Sequence, residues 1–109
     1  MKYEQLIYTD KKVVENLLQN EDEIILSKTI VGMVAGINDK EWVFKKLLNY
    51  INHKNYWVAK NSINGLGYLA RTNSMFNKKK AIKELLSITE EIQKENIHNA
   101  LEDIKIFCK

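Results

Sequence analysis

The chain has 109 residues, room for one domain with a modest core but not for a core plus a separate catalytic domain. Hydrophobic residues make up 45% and charged ones 28%, which argues for a folded globule over a disordered chain. The net charge of +3 rests on lysine, with Arg71 the one arginine, so the basic balance alone is weak ground for nucleic-acid recognition.

The charge is unevenly spread. Residues 1–41 and 84–109 each carry an excess of acids, whereas residues 42–83 hold eight lysines and Arg71 with no acid. A basic middle therefore sits between two acidic ends. The opening Met-Lys-Tyr-Glu-Gln has an acid where the apolar stretch of a secretion signal should begin. The longest apolar run, Ile30 to Ile37, is far short of the ~20 residues that span a bilayer. A single cysteine, Cys108, cannot close an internal disulfide, so a reducing cytoplasm is the expected home, with no membrane partner.

Proline is absent, and dense i, i+3, i+4 apolar spacing predicts helix nearly throughout. The segment Tyr3 to Tyr8 reads as a short helix or an irregular lead-in. Asp10 caps a first helix with Val13, Val14, Leu17 and Leu18 inward. Asn20, three residues before Glu23, resembles a capping box and opens a second helix through Ile25, Leu26, Ile30 and Met33, with Gly36 at its end. Asp39 caps a third, burying Val43, Phe44, Leu47, Leu48 and Ile51. Asn55 caps a fourth, from Tyr56 to about Arg71. Asn77 caps a fifth, with Ile82, Leu85 and Leu86. A sixth runs from about Ile92 to Phe107, through Ile97, Leu101 and Ile104.

Six helices with short polar connections suggest three antiparallel pairs, approximately residues 10–36, 39–71 and 77–108, within one domain spanning 1–109. A shift of 33 lays Ile25-Leu26, Ile30, Gly32 and Met33 onto Val58-Ala59, Ile63, Gly65 and Leu66. A shift of 38 lays Leu47-Leu48 onto Leu85-Leu86, Ile63 onto Leu101 and Leu66 onto Ile104. A single hairpin cannot bury its apolar face, so repeating hairpins stack and share a core. The stretch Asn55-Tyr56-Trp57-Val58-Ala59-Lys60-Asn61-Ser62-Ile63-Asn64-Gly65-Leu66-Gly67 resembles the second helix of a HEAT repeat, through Val58, Ser62, Gly65, Leu66 and Gly67. Ala59 departs from the family's frequent arginine, and the turn proline is missing. The resemblance implies an all-α fold, a right-handed stack of about three helix pairs in a HEAT-like α-solenoid, with second helices lining a concave side.

Motifs for chemistry are sparse. Gly65-Leu66-Gly67-Tyr68-Leu69-Ala70 fits the dinucleotide fingerprint G-x-G-x-x-A, but that motif needs a strand before it and these glycines fall inside a helix. Close helix packing is the better reading. His53 and His98 lack companions at zinc-ligand spacing, Cys108 lacks a positioned base, and adjacent Glu90 and Glu91 point different ways on a helix. The chain is therefore expected to be no enzyme and to need no metal or cofactor.

One non-core feature stands out. Lys60, Asn64, Tyr68 and Arg71 recur along one face of the fourth helix, with Trp57 and Asn61 beside them. On a HEAT-like stack the equivalent positions are Lys28 and Val31 on the helix before, and His98, Asn99 and Glu102 on the helix after. Trp, Tyr and Arg are enriched at binding hot spots, and aromatics also seal seams between hairpins; both readings fit. Lys78-Lys79-Lys80 with Lys83 opens the fifth helix as a solvated face or an anion contact.

Small HEAT-like proteins of this style resemble the immunity proteins of bacterial polymorphic toxin systems, including contact-dependent growth inhibition. That resemblance, one of size and fold style, implies a protein partner, a cognate toxin domain, with the acidic residues Glu21, Asp22 and Glu23 or Glu90, Glu91 and Glu95 as contacts. The alternatives are a nucleic-acid binder that uses Trp57, Lys60, Tyr68, Arg71 and the Lys78–Lys80 run on a basic concave face, or a scaffold or regulatory subunit.

Overall fold

The structure, a computed structural model, describes residues 7–108. It is all-α. The helices are α1 (Lys11–Leu18), α2 (Glu23–Gly36), α3 (Lys40–Leu48), α4 (Tyr56–Arg71), α5 (Lys78–Leu86) and α6 (Lys94–Phe107), with a 3-10 turn (Glu91–Gln93) leading into the last. Of the lead-in, Ile7 and Tyr8 are non-helical and Tyr3 to Leu6 lie outside the described residues.

Short polar side chains start five of the helices. Asp10, Asp22, Asp39, Asn55 and Asn77 each accept a first-turn backbone N–H that has no partner inside its helix. Such a cap contributes about 1 kcal/mol. At α2 the expected cap is displaced. Asp22 fills the position, and Asn20 accepts the Asp22 N–H at 2.8 Å instead. The reason is local: Asn20 and Asp22 form two successive side-chain turns, and the second meets the helix. At α6 the helix proper begins at Lys94, because Glu91–Gln93 winds more tightly.

Helix α4 ends differently. Asn73 takes φ 57°, the left-handed region, while Ser74 N–H donates to the Leu69 carbonyl at 2.7 Å and Asn73 N–H to that of Ala70 at 3.1 Å. This is a Schellman stop, with asparagine tolerated where glycine is commonest.

Polar contacts fix how the helices run. Glu23 meets Asn55, and Ser27 meets Asn61, so α2 and α4 point the same way. Gln93 meets Tyr56, and Asp103 meets Arg71, so α6 follows α4 in the same direction. Lys11 at the start of α1 reaches Asp39 beyond the end of α2, and Lys78 at the start of α5 reaches the Cys108 carbonyl after α6. The first helices thus run opposite to the second ones. Helix α4 is central, packed against α2, α3 and α6.

The core lies between these two sets of helices. Ile30, Met33, Leu47, Ile63, Leu66, Leu85 and Ile104 are fully buried. The positions related by the shift of 33 share their environment: Ile30 with Ile63, Met33 with Leu66, and Gly32 with Gly65 are all buried. Thr29 and Ser62, also 33 apart, both turn their hydroxyls back onto the carbonyl four residues earlier, at 2.7 and 2.8 Å. That bond satisfies a buried hydroxyl without a partner from the next helix. The molecule measures 33 × 29 × 28 Å, so three pairs make a nearly equidimensional body, too short to curve into a deep cradle.

Two glycines serve close approach. At Gly65 a Cβ would sit 3.0 Å from Leu47 Cδ1 and 3.1 Å from Val34 Cγ2. At Gly67 it would sit 2.7 Å from the Asp103 carboxylate. The G-x-G-x-x-A match is therefore a packing feature within α4, with no strand among the described residues to make it a nucleotide loop.

Candidate partner-binding face

Helices α2, α4 and α6 turn one side to the core and the other to solvent. On the solvent side α4 presents Trp57, Lys60, Asn61, Asn64, Tyr68 and Arg71, the stripe expected from sequence. Positions 33 earlier on α2 present Ile24, Lys28, Val31 and Ala35, all exposed. On α6 the matching side presents Glu95, His98, Asn99, Glu102 and Ile106, also exposed. The structure thus brings Lys28, His98 and Glu102 onto the face that carries the α4 stripe.

The face is more apolar than its sequence stripe implied. Ile24, Val31, Trp57, Tyr68 and Ile106 on it are between 37% and 66% exposed. Several large apolar side chains left in water on one face mark an interaction surface more often than a lone one does. Trp57, at 57% exposed, does not seal a seam. Its ring meets Tyr56 edge-on at 5.1 Å, and the Lys60 ammonium lies 4.9 Å from its centroid and 5.8 Å from that of Tyr56. This cluster holds an aromatic anchor upright at low entropic cost.

Two grooves flank α4. Between α2 and α4 lies one of about 280 Å³, floored by Val31, Val34, Ala35 and Gly65 and walled by Tyr68. Between α4 and α6 lies a larger, polar one of about 740 Å³, lined by Asn64, Arg71, His98, Asn99, Glu102 and Asp103. Asn64 and Arg71 border both.

Several stripe residues are already engaged. Arg71 pairs with Asp103 at 2.5 Å, a residue that sequence reasoning missed because nothing local to α6, which also carries Glu95 and Glu102, singles it out. Asn61 donates to the Ser27 carbonyl at 3.1 Å, tying α4 to α2. His98 lies 3.9 Å from Glu102. Asn64 carries no such tie and stays exposed between the grooves.

The basic middle does not gather on this face. Helices α2, α4 and α6 carry five cations (Lys28, Lys60, Arg71, Lys94, Lys105) against four carboxylates (Glu23, Glu95, Glu102, Asp103). The surplus sits on α3 and α5, as Lys40, Lys45, Lys46, Lys78–Lys80 and Lys83. Alternation between first and second helices separates the two sets, which linear charge counting merges. Perturbed protonation lies there too. Burial pulls the Lys40 ammonium below its usual 10.5 while it donates to the Val34 carbonyl at 2.9 Å, and the hydrogen bond from Lys11 lowers the Asp39 carboxyl.

Among the described residues no three His, Cys, Asp or Glu side chains gather where a metal ion would sit, and no helix is long and apolar enough to cross a membrane.

No protein-family profile matches this chain, and no curated protein does. Its fold is nonetheless shared. A chain in the crystal structure of a CDI complex from Cupriavidus taiwanensis LMG 19424 superposes with a TM-score of 0.82 at 20% identity, over 100% of this chain and 99% of that one. The fold resemblance to a CDI component therefore spans the whole molecule.

Proposed function

We propose that this protein is a non-enzymatic binding module, an immunity protein that occupies and neutralises a cognate toxin domain in the bacterial cytoplasm. The observation that carries the reading is the solvent face of α2, α4 and α6. It combines five exposed large apolar side chains, the aromatic anchor Trp57 among them, with two grooves bordered by Asn64 and Arg71. Such a mixture of apolar anchors and polar rim suits a protein partner. Full-length likeness to a chain from a CDI complex supports the same reading.

The nucleic-acid alternative has less behind it. Arg71, the one arginine, is paired with Asp103, and the face has nearly balanced charge. A phosphate backbone is bound through unpaired cations, several at a time.

The test is co-expression with a CDI toxin domain taken from a neighbouring gene. Protection of growth and a complex that survives 0.5 M salt, both lost in Trp57→Ala, are the expected results. A DNA or tRNA complex with a steep salt dependence, and no toxin complex, would overturn the proposal.

A further inference from the structure

The acidic residues toward the two ends of the sequence share one edge of the fold, on either side of the start of α4. Asn55, the cap of α4, donates to Glu23 at the start of α2 at 2.5 Å. The buried Gln93, just before α6, donates to the Tyr56 carbonyl at the start of α4 at 3.1 Å. These two bonds hold the beginnings of α2, α4 and α6 side by side at one edge of the binding face.

That edge is apolar at its centre. Ile24 on the first turn of α2, Trp57 on the first turn of α4 and Ile92 in the 3-10 turn are 66%, 57% and 67% exposed. They stand next in sequence, or within two residues, to the groups that make the two tethering bonds. Around them stand Glu21, Asp22, Glu23, Glu90, Glu91 and Glu95. Among the described residues none of these six has a cation within salt-bridge distance. Lys54, Lys60 and Lys94 share the edge, and Lys60 is folded over Trp57. Of the other described carboxylates, Asp39 pairs with Lys11, Glu41 with Lys45, Glu15 with Lys46 and Asp103 with Arg71, and Glu102 lies near His98, whereas Asp10 and Glu84 have no cation within salt-bridge distance among the described residues.

We infer that this edge docks a basic protein surface, with apolar side chains of the partner meeting Ile24, Trp57 and Ile92 and its Lys and Arg side chains meeting the surrounding carboxylates. Charge complementarity selects the occupant. With six carboxylates against Lys54, Lys60 and Lys94, the edge is net acidic around its apolar residues, which disfavours nucleic acid and acidic proteins and favours a cationic partner both in encounter rate and in orientation. The partner approaches the start of α4, so the Trp57 end of the face bears the contact and the Arg71 end is the periphery. The inference rests on the proposed immunity role and adds to it the partner's charge and its point of attachment.

The experiment measures association and dissociation of the neighbouring-gene toxin domain with the full chain across salt concentration. Glu21, Glu90 and Glu91 are exposed, and their side chains make no hydrogen bond among the described residues, so Glu21→Lys with Glu90→Lys and Glu91→Lys should leave the fold intact, checked by circular dichroism. The expected result is an association rate lowered about tenfold or more at low salt, converging with wild type at high salt. Ile24→Ala with Ile92→Ala should instead raise the dissociation rate. Wild-type binding that is unchanged in both variants overturns this inference and leaves the immunity role standing. Absence of wild-type binding overturns both. A chain that self-associates in sedimentation equilibrium, and is dispersed by Ile24→Asp, overturns the inference in favour of a second copy as occupant.

Discussion

Arg71 near the end of α4 and Asp103 on α6 meet at 2.5 Å beside Gly67, whose lack of a side chain leaves space for the carboxylate. A motif that matches a dinucleotide fingerprint in letters alone and an arginine offered as a phosphate contact only under the nucleic-acid alternative are thus both parts of one helix-to-helix contact. Because the pair is partly exposed, 48% for Arg71 and 21% for Asp103, solvent screens it, and Arg71→Ala should cost no more than about 1 kcal/mol. Gly67→Ala pushes the Asp103 carboxylate aside but gains about 1 kcal/mol of helix propensity, so it should be nearly neutral. Denaturant melts of the two variants check this, and a loss of several kcal/mol in either would show that the pair is more deeply coupled to the core.

Gly36 should respond quite differently to the same substitution. A Cβ there would collide with the backbone carbonyl of Tyr8 and come within 2.7 Å of Ile7 Cγ2, and backbone cannot step aside as a side-chain tip can. Tyr8 is held by its N–H, which donates to the Gly32 carbonyl at 3.0 Å. Gly36→Ala should therefore release residues 7–8 from α2 while the helices stay folded. Hydrogen exchange at the Tyr8 amide should speed up by at least tenfold, with far-ultraviolet circular dichroism unchanged.

The lowered Asp39 carboxyl gives a pH signature. The hydrogen bond from Lys11 is the largest cause, followed by the backbone N–H of Trp42. Its folded value lies below the ordinary 3.8, so the stabilisation it brings is fully present above that value. It is lost as pH falls from there through the folded value. Lys11→Ala should move the Asp39 carbon resonance titration back toward 3.8 and flatten the acid limb of the stability curve. An unchanged titration would mean that the Trp42 N–H alone holds the group.

Much of this architecture was legible because helix signals are local. Asp10, Asp39, Asn55 and Asn77 are short polar side chains just before apolar runs, and each caps where its pattern says. Asn20 misled because two capping residues compete within three positions, and only chain geometry decides between them. The stop at Asn73 was hidden because asparagine adopts the left-handed conformation at only a minority of its positions, and here the Schellman bonds that favour it depend on how the chain turns after α4. The α4 stripe was readable from periodicity, but its apolar neighbours Ile24 and Ile106 were not. They sit at helix ends, where apolar residues read as core until packing shows which side they face. Asp103's pairing and the shared edge of the two acidic segments depend on contacts thirty or more residues apart, which no local pattern contains.

Stability and binding should separate cleanly along α4, because its two sides do different work. Ile63 is fully buried between α4 and its neighbours, so Ile63→Ala leaves a cavity and should cost about 2–5 kcal/mol. Trp57 lies six residues away on the same helix with more than half its surface in water. Trp57→Ala gives up the edge contact with Tyr56 and the Lys60 ammonium, each worth about 0.5–1 kcal/mol at an exposed site. Alanine returns part of that as helix propensity, leaving a net loss within about 1 kcal/mol. In a complex the same ring would be desolvated at the centre of an interface, where truncating a tryptophan costs about 2 kcal/mol or more, roughly thirtyfold in Kd. Thermal melts and titration calorimetry with the proposed toxin partner should therefore rank the two variants in opposite orders. If Trp57→Ala unfolds the protein as readily as Ile63→Ala, the ring is part of the core. If it leaves affinity untouched, the anchor lies elsewhere on the face.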